Sequence, residues 1–301
     1  MKKIFALVAI AVTVIALVAG CGSNNNAGSN DKKSATIGVS ISTLNNPFFV
    51  SIKKGIEDQA NKMGLKVKIV DAQNDPAKQA NDISDLLESN VSLLIINPVD
   101  SAAISTSVEL ANNKKIPVIT LDRSADQGTV VTHIASDNKK GGEMAAQLIA
   151  QALGEKAKVI ELEGVPGASA TRERGEGFHA FADQHLTVLG KQSADFDRTK
   201  GLNVATNMLQ ANPDVQAIFA QNDEMALGAI EAAKSANKQL FIVGFDGTQD
   251  GQTAVDNGSL SATIAQQPEM MGQIAIATAA KIIAGEQVEP KIPVDLKVIK
   301  K

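Results

Sequence analysis

The chain has 301 residues, 44% of them hydrophobic and 21% charged, with a formal charge of −4; that length exceeds one ordinary domain and predicts two. The acidic balance excludes the basic footprint that nucleic-acid binding needs, so no nucleic-acid partner is expected. One cysteine excludes a disulfide framework and a thiolate zinc site, and the three histidines (His133, His179, His185) are not spaced as a ligand pair, so no metal and no cofactor are expected.

Lys2 and Lys3 precede an almost wholly apolar run over 4–18, and Val18-Ala19-Gly20 leads into Cys21. The run is short for a permanent membrane helix and reads as an export signal over residues 1–20. Its ending resembles the signals of bacterial lipoproteins, which implies cleavage before Cys21 and acylation of its thiol. Cys21 would then hold the chain to the outer face of the cytoplasmic membrane. Residues 21–34 are rich in Gly, Ser and Asn and carry no apolar period, so they read as a flexible tether. Its residues 22–34 would span roughly 20 Å as a random coil.

From residue 35 onward, β-branched runs alternate with helical periods. Strands are expected at Thr36–Ile41, 67–70, Leu93–Ile96, Val118–Leu121, 158–162, Ala217–Ala220 and 240–243. Helices are expected between them, over 50–63, 77–88, 102–112, 142–153, 174–184, 202–210 and 225–236. Continuous apolar strands separated by amphipathic helices predict an α/β fold with parallel sheets covered on both faces. A repeat is visible as well: a buried strand ends in Asn97 and the next in Asp122, and the pattern recurs at Asn222 and Asp246. Two similar doubly wound parallel-sheet lobes are therefore expected, each presenting Asn and Asp at strand carboxyl ends, where open α/β sheets bind ligands.

The residues suited to chemistry cluster at those ends. Asn46 and Pro47 suit the cap and first turn of a helix, leaving Phe48 and Phe49 beside the first strand. Asn97, Asp122 and Arg123 follow on neighbouring strands of the same half. In the second half, the charged run from Arg172 to Glu176 reads either as a solvated helix face or as a source of one inward arginine. Phe196 is flanked by polar residues, outside any apolar stripe. Carboxylates, amides and guanidinium groups satisfy hydroxyls that both donate and accept, and flat aromatic faces suit the apolar face of a sugar ring.

Catalytic motifs are missing from the sequence: it has no Gly-x-Ser-x-Gly, no His-Glu-x-x-His and no phosphate-binding loop with its lysine. Gly164-Val165-Pro166-Gly167 reads as a turn. Asp122 and Asp246 could form a glycosidase pair, but their neighbours are expected to keep both ionised, so no enzyme is expected.

The segments 43–49, 96–98, 119–123, 170–178, 194–197, 220–228, 244–247 and 262–266 resemble the ribose-binding proteins of bacterial ABC importers, within the type I periplasmic binding proteins. The resemblance runs from about Thr36 to the C-terminus. It implies two lobes, 35–136 plus 267–294 and 137–266 plus 295–301, joined by a three-strand hinge that closes around D-ribose. It also implies that Phe48, Phe49 and Phe196 sandwich the ring and that Phe245 closes the pocket. Asn46, Asn97, Asp122, Arg123, Arg174, Asn222, Asp246 and Gln266 would hold the hydroxyls. The implied partners are D-ribose and the membrane subunits of an ABC permease, with the protein itself a monomer. The alternatives are a receptor that presents a pentose or hexose to a signalling partner, and a sugar-responsive repressor of the same fold. A repressor would need a DNA-binding segment before Thr36, where the signal and tether stand.

Overall fold

The computed structural model describes residues 35–301; the expected signal, Cys21 and the tether lie outside the described residues. The first series is β1 (Thr36–Ile41), α1 (Pro47–Met63), β2 (Lys66–Asp71), α2 (Pro76–Glu88), β3 (Leu93–Ile96), α3 (Ser105–Asn113), β4 (Val118–Leu121) and β5 (Thr132–Ser136), then α4 (Asn138–Leu153). The second series is β6 (Lys158–Glu163), α5 (Ser169–His185), β7 (Thr187–Ser193), α6 (Arg198–Ala211), β8 (Ala217–Ala220), α7 (Asp223–Ser235), β9 (Phe241–Asp246), α8 (Gln249–Asp256) and β10 (Ala262–Ala265). The chain ends in α9 (Pro268–Ile283), β11 (Lys291–Val294) and β12 (Lys297–Lys300).

The strands form two six-stranded sheets of the same order, β11-β5-β4-β3-β1-β2 and β12-β10-β9-β8-β6-β7. Each reverses direction after its first strand, so each has a switch point, between β1 and β3 and between β6 and β8. The repeat read from Asn97/Asp122 and Asn222/Asp246 is thus a repeat of topology, with β3 and β8, and β4 and β9, in equivalent places. It breaks at the last strands, where β11 runs parallel to β5 and β12 antiparallel to β10, and at α8, which joins β9 to β10 where β4 and β5 have no helix between them. The chain passes between the sheets three times, after β5, after β10 and after β11.

Each central strand is apolar on both faces because helices cover both. In β3, Leu93 and Ile95 join the core under α1 and α9, while Leu94 and Ile96 join the core under α2 and α3. In β8, Ile218 and Ala220 face α6 and α7, and Phe219 faces α4 and α5, stacked on Phe178 with ring centroids 4.7 Å apart. Each such large side chain contributes about 1.5–3 kcal/mol by leaving water. The strands that escaped the sequence pattern are those with weak apolar signals; helices α8 and α9 were not anticipated either, although α9 is strongly apolar. β5 carries a histidine, β7 is half exposed, β10 is four residues long, and β11 and β12 are lysine-bearing edges. Helices α4 and α5 begin earlier than expected because their first turns are polar or glycine-containing, and α1 begins at Pro47, directly after the Asn46 cap.

Three helix pairs, α1 with α9, α4 with α5 and α6 with α7, approach so closely that glycines stand at the crossings. At the α4–α5 crossing the arrangement is reciprocal: a Cβ on Gly142 would overlap the Arg174 carbonyl, and one on Gly177 would overlap that of Lys139. This crossing fixes the height of Arg174 above the second sheet. Gly142→Ala should therefore force the helices apart and destabilise the protein by about 1–3 kcal/mol, as overpacking does. That corresponds to a melting temperature lower by about 2–4 °C per kcal/mol in a chain of this size. An unchanged melting curve would show that the crossing has slack.

Candidate functional site

The expected site residues lie at strand carboxyl ends in both sheets, and nine of the twelve line one small, nearly closed cavity. Asn46, Phe48, Phe49, Asp122 and Arg123 come from the first half, and Arg174, Phe196, Asn222 and Asp246 from the second; Ala170 also lines it. Three lie just behind this lining. Asn97 accepts from the Ser42 amide at 3.1 Å and donates to the Leu121 carbonyl at 3.0 Å, so it ties the end of β1 to that of β4. Phe245 is fully buried beneath Arg174, whose guanidinium carbon is 3.7 Å from the ring centroid. Gln266 donates to Asp246 Oδ1 at 2.9 Å.

Local chemistry explains several placements. Asn46 caps α1 by accepting from the Phe48 amide at 2.9 Å, with Pro47 in the first turn. Phe48 and Phe49 are then held edge to face, with centroids 5.2 Å apart. Asn222 caps α7 through the Met225 amide at 2.9 Å and donates to the Phe196 carbonyl at 3.2 Å, which fixes the backbone that carries that ring. Asp122, Phe196 and Asp246 all have left-handed backbone, with φ of 64°, 59° and 109°. Side-chain-bearing residues held there cost about 1–3 kcal/mol each, and such strain concentrates where side chains are aimed at a ligand.

The cavity brings two acids and two guanidinium groups out of water. Arg174 Nε donates to Asn138 Oδ1 at 2.9 Å and its Nη1 to the Gln221 carbonyl at 2.6 Å, but its nearest approach to Asp246 Oδ1 is 3.7 Å. Arg123 Nη1 donates to the Pro98 carbonyl at 3.2 Å, and its Nε stands 3.8 Å from Asp122 Oδ2. The guanidinium carbon of Arg123 also lies 5.1 Å from the Phe49 ring and 5.3 Å from the Phe196 ring. Opposite charges therefore face each other across gaps too wide for direct hydrogen bonds. Asp122 Oδ1, Arg123 Nε and Gln266 Oε1 are buried and find no partner among the described residues. Two acceptors and a donor left open call for a ligand that both donates and accepts.

Burial dominates the electrostatics. It raises the Asp122 carboxyl above its ordinary range despite Arg123, Arg174 and Asn97, and pushes Asp246 up to about 8 against the pull of Arg174. It also lowers Arg123 to about 10 and moves Arg174 downward. The expectation that neighbours would keep the Asp122 and Asp246 pKa values from being raised is corrected here: loss of water outweighs cations that stand too far off to bond directly.

Sequence reasoning missed the groups that carry the arginines. Asn138 opens α4 directly after its cap, Asp137, and reads as an ordinary first-turn residue. The Pro98 and Gln221 carbonyls leave no trace in residue type. Among the described residues, no group of three or more His, Cys, Asp or Glu could hold a metal ion.

Two parallel-sheet lobes with a polar, aromatic-walled cavity at their strand ends define a binding protein of the two-lobed type. Residues 37–287 match the periplasmic binding protein domain, and the chain belongs to that family. It is 61% identical over 269 residues to the ribose import binding protein RbsB of Bacillus subtilis, covering 89% of this chain and 88% of the relative. It is 52% identical to the ribose import binding protein RbsB of Escherichia coli over 303 residues, 100% and 99% of the two chains. Among solved structures, an ABC transporter periplasmic solute binding protein from Actinobacillus succinogenes with bound D-allose superposes with a TM-score of 0.82 at 30% identity. The match covers 88% of this chain and 97% of that one.

A carboxyl whose pKa is raised on burial binds its proton more tightly folded than unfolded. The stability this gives is present below the ordinary carboxylate range and is lost as pH rises towards about 8. Asp246→Asn removes the charge that must then be buried. The ligand-free variant should melt higher than the parent at pH 9, by about 2–4 °C for each kcal/mol relieved, with the gap closing near pH 4. A lower melting temperature at pH 9 would mean that the Asp246 charge is adequately paired inside the protein.

Proposed function

We propose that this chain is the extracytoplasmic substrate-binding component of a sugar importer, capturing D-ribose between its lobes and delivering it to an ABC permease. The supporting observation is near-full-length similarity to ribose import binding proteins, joined to a cavity whose unpaired polar atoms match ring hydroxyls. Asp122 Oδ1 and Gln266 Oε1 accept from hydroxyls and Arg123 Nε donates to one, while Phe48, Phe49 and Phe196 cover the ring faces. Asn46, Arg174, Asn222 and Asp246 complete the polar set, and Asn97 and Phe245 hold its walls. The sugar interposes hydroxyls between charges that otherwise face each other across gaps, so it binds the closed arrangement better than the open one. That differential affinity is what closes the lobes. The three passages of the chain between the sheets form the hinge. The role is binding without catalysis, by a monomer.

Calorimetry against pentoses and hexoses tests the ligand: ribose should bind most tightly, and glucose and galactose far more weakly, because the phenylalanine walls leave little room for a hydroxymethyl group. Arg123→Ala and Arg174→Ala should each weaken ribose binding by about tenfold to over a hundredfold, since charge-assisted bonds contribute about 1.5–3 kcal/mol and their loss strands buried partners. Tighter binding of a hexose, or full affinity in both variants, would sink the assignment.

The anchor is a lipid on Cys21, which lies outside the described residues, holding the protein to the outer face of the cytoplasmic membrane. Two acyl chains hold stably where one does not, each buried methylene contributing about 0.8 kcal/mol. Cys21→Ser should release the protein to the medium or leave the signal uncut. Mature-length variant still sedimenting with membranes would overturn the anchor.

A further inference from the structure

The two lobes also meet directly, at a seam that does not line the sugar cavity. The turn Gly164-Val165-Pro166-Gly167 runs from β6 into α5, and its last glycine lies so close to Asp100, on the loop after β3, that a Cβ there would overlap the carboxylate. Asp100 cannot swing aside freely, because its Oδ1 accepts from the amides of Ala102 at 2.9 Å and Ala103 at 2.8 Å. Around this close approach, hydrogen bonds cross from lobe to lobe. The Ser101 amide donates to the Gly167 carbonyl at 2.9 Å, and the Ser169 amide donates to Ser101 Oγ at 3.2 Å. The Ser124 amide donates to Ser169 Oγ at 2.9 Å. Arg172 spans the same seam, donating through Nη2 to Asp126 Oδ1 at 2.9 Å and through Nη1 to the Gly167 carbonyl at 3.0 Å. The Asp126 amide donates to the Ser101 carbonyl at 2.8 Å, which joins the two loops of the first lobe into one surface.

Ser101 and Ser169 are buried, so these are not loose surface contacts. Their backbone groups find partners across the seam only while the lobes are together; opening exchanges those partners for water. None of these residues lines the cavity, so the seam contributes to closure whichever sugar is bound. We propose that Ser101, Ser124 and Asp126 on one lobe and Gly167, Ser169 and Arg172 on the other form a latch that sets the stability of the closed arrangement, and with it the sugar affinity, without reading the sugar. This rests on the reading that ligand is held by closure of the two lobes. Apparent affinity falls in proportion to the fraction of protein able to adopt the competent state, so a weakened latch scales every affinity by one factor. Residues that touch the sugar change affinities unequally.

The test uses the full chain with Ser169→Ala, Arg172→Ala and the double substitution, and measures affinities for D-ribose and for the weaker-binding pentoses by calorimetry. Each single change should weaken ribose binding about three- to tenfold, with the same factor for every pentose and a faster dissociation rate. The melting temperature without sugar should stay within a degree or two, which separates a lost latch from a damaged fold. Gly167→Ala provides an independent arm. Its backbone φ is not in the left-handed region, so alanine is accommodated in the open form but obstructs closure against Asp100. It should weaken binding without removing any hydrogen bond. Amide exchange reads the seam directly: ribose should slow exchange at Ser101, Ser124 and Ser169 in the parent and much less so in the double variant. Unchanged affinity in the double variant, factors that differ from sugar to sugar, or no sugar-dependent protection at those amides would each overturn the latch. If the parent binds no ribose but binds another pentose, the ligand assignment falls and the latch is judged by the same ratios on that pentose.

Discussion

Two carboxylates and two guanidinium groups, buried at the meeting of two lobes and incompletely paired, are the constraint on which the rest of the structure depends. Taking charges out of water is costly unless hydrogen bonds and opposite charges replace the lost hydration. Here the replacement is partial. Arg174 reaches Asn138 and the Gln221 carbonyl, Arg123 reaches Pro98, and the acids face them at 3.7–3.8 Å without bonding directly. The shortfall appears in the raised carboxyls, the lowered guanidinium groups and the unpaired atoms. A site of this kind is stable enough to exist yet gains when a molecule rich in hydroxyls completes it.

Holding such a cluster in place takes stiff surroundings, and the fold supplies them at three levels. Parallel sheets with apolar residues on both faces aim their carboxyl ends at one gap. Glycine at the α4–α5 crossing lets helix backbones touch, so Arg174 is set by backbone packing as well as by its own hydrogen bonds. Asparagine caps at Asn46 and Asn222 fix the turns that carry Phe48 and Phe196, and left-handed backbone at Asp122, Phe196 and Asp246 turns those side chains away from ordinary strand directions. Strain at the site and tight packing behind it are linked, since strained conformations persist only where their surroundings over-determine them.

Affinity and specificity then have separate structural addresses. On the proposed function, the cavity residues meet the ligand and decide which molecule fits. The proposed latch around Ser101, Ser169 and Arg172 acts whatever is bound, and the turn between its two glycines touches both regions: Gly164 leaves room for the Phe196 ring and Gly167 for Asp100.

Much of this was legible in the sequence. Strand and helix alternation, the Asn–Asp repeat and the cluster of Phe, Arg and Asp residues depend on residue type and spacing along the chain, and these predict a two-lobed α/β protein with polar strand ends. Nine of twelve expected site residues line one cavity because strand ends bring together whatever the chain places after its apolar runs. What sequence could not supply is anything that depends on distance between remote segments. Short or lysine-bearing strands such as β10 and β12 form because neighbours pair with them. Backbone carbonyls at Pro98 and Gln221 hold the arginines, and carbonyls carry no residue signature. The upward shift of Asp122 and Asp246 could not be read from their neighbours, because burial and a gap of a few ångströms outweigh adjacency in the chain. Residue order determined which groups reach the cleft; only the packing of the two lobes decided how far apart they stand, and that separation sets their chemistry.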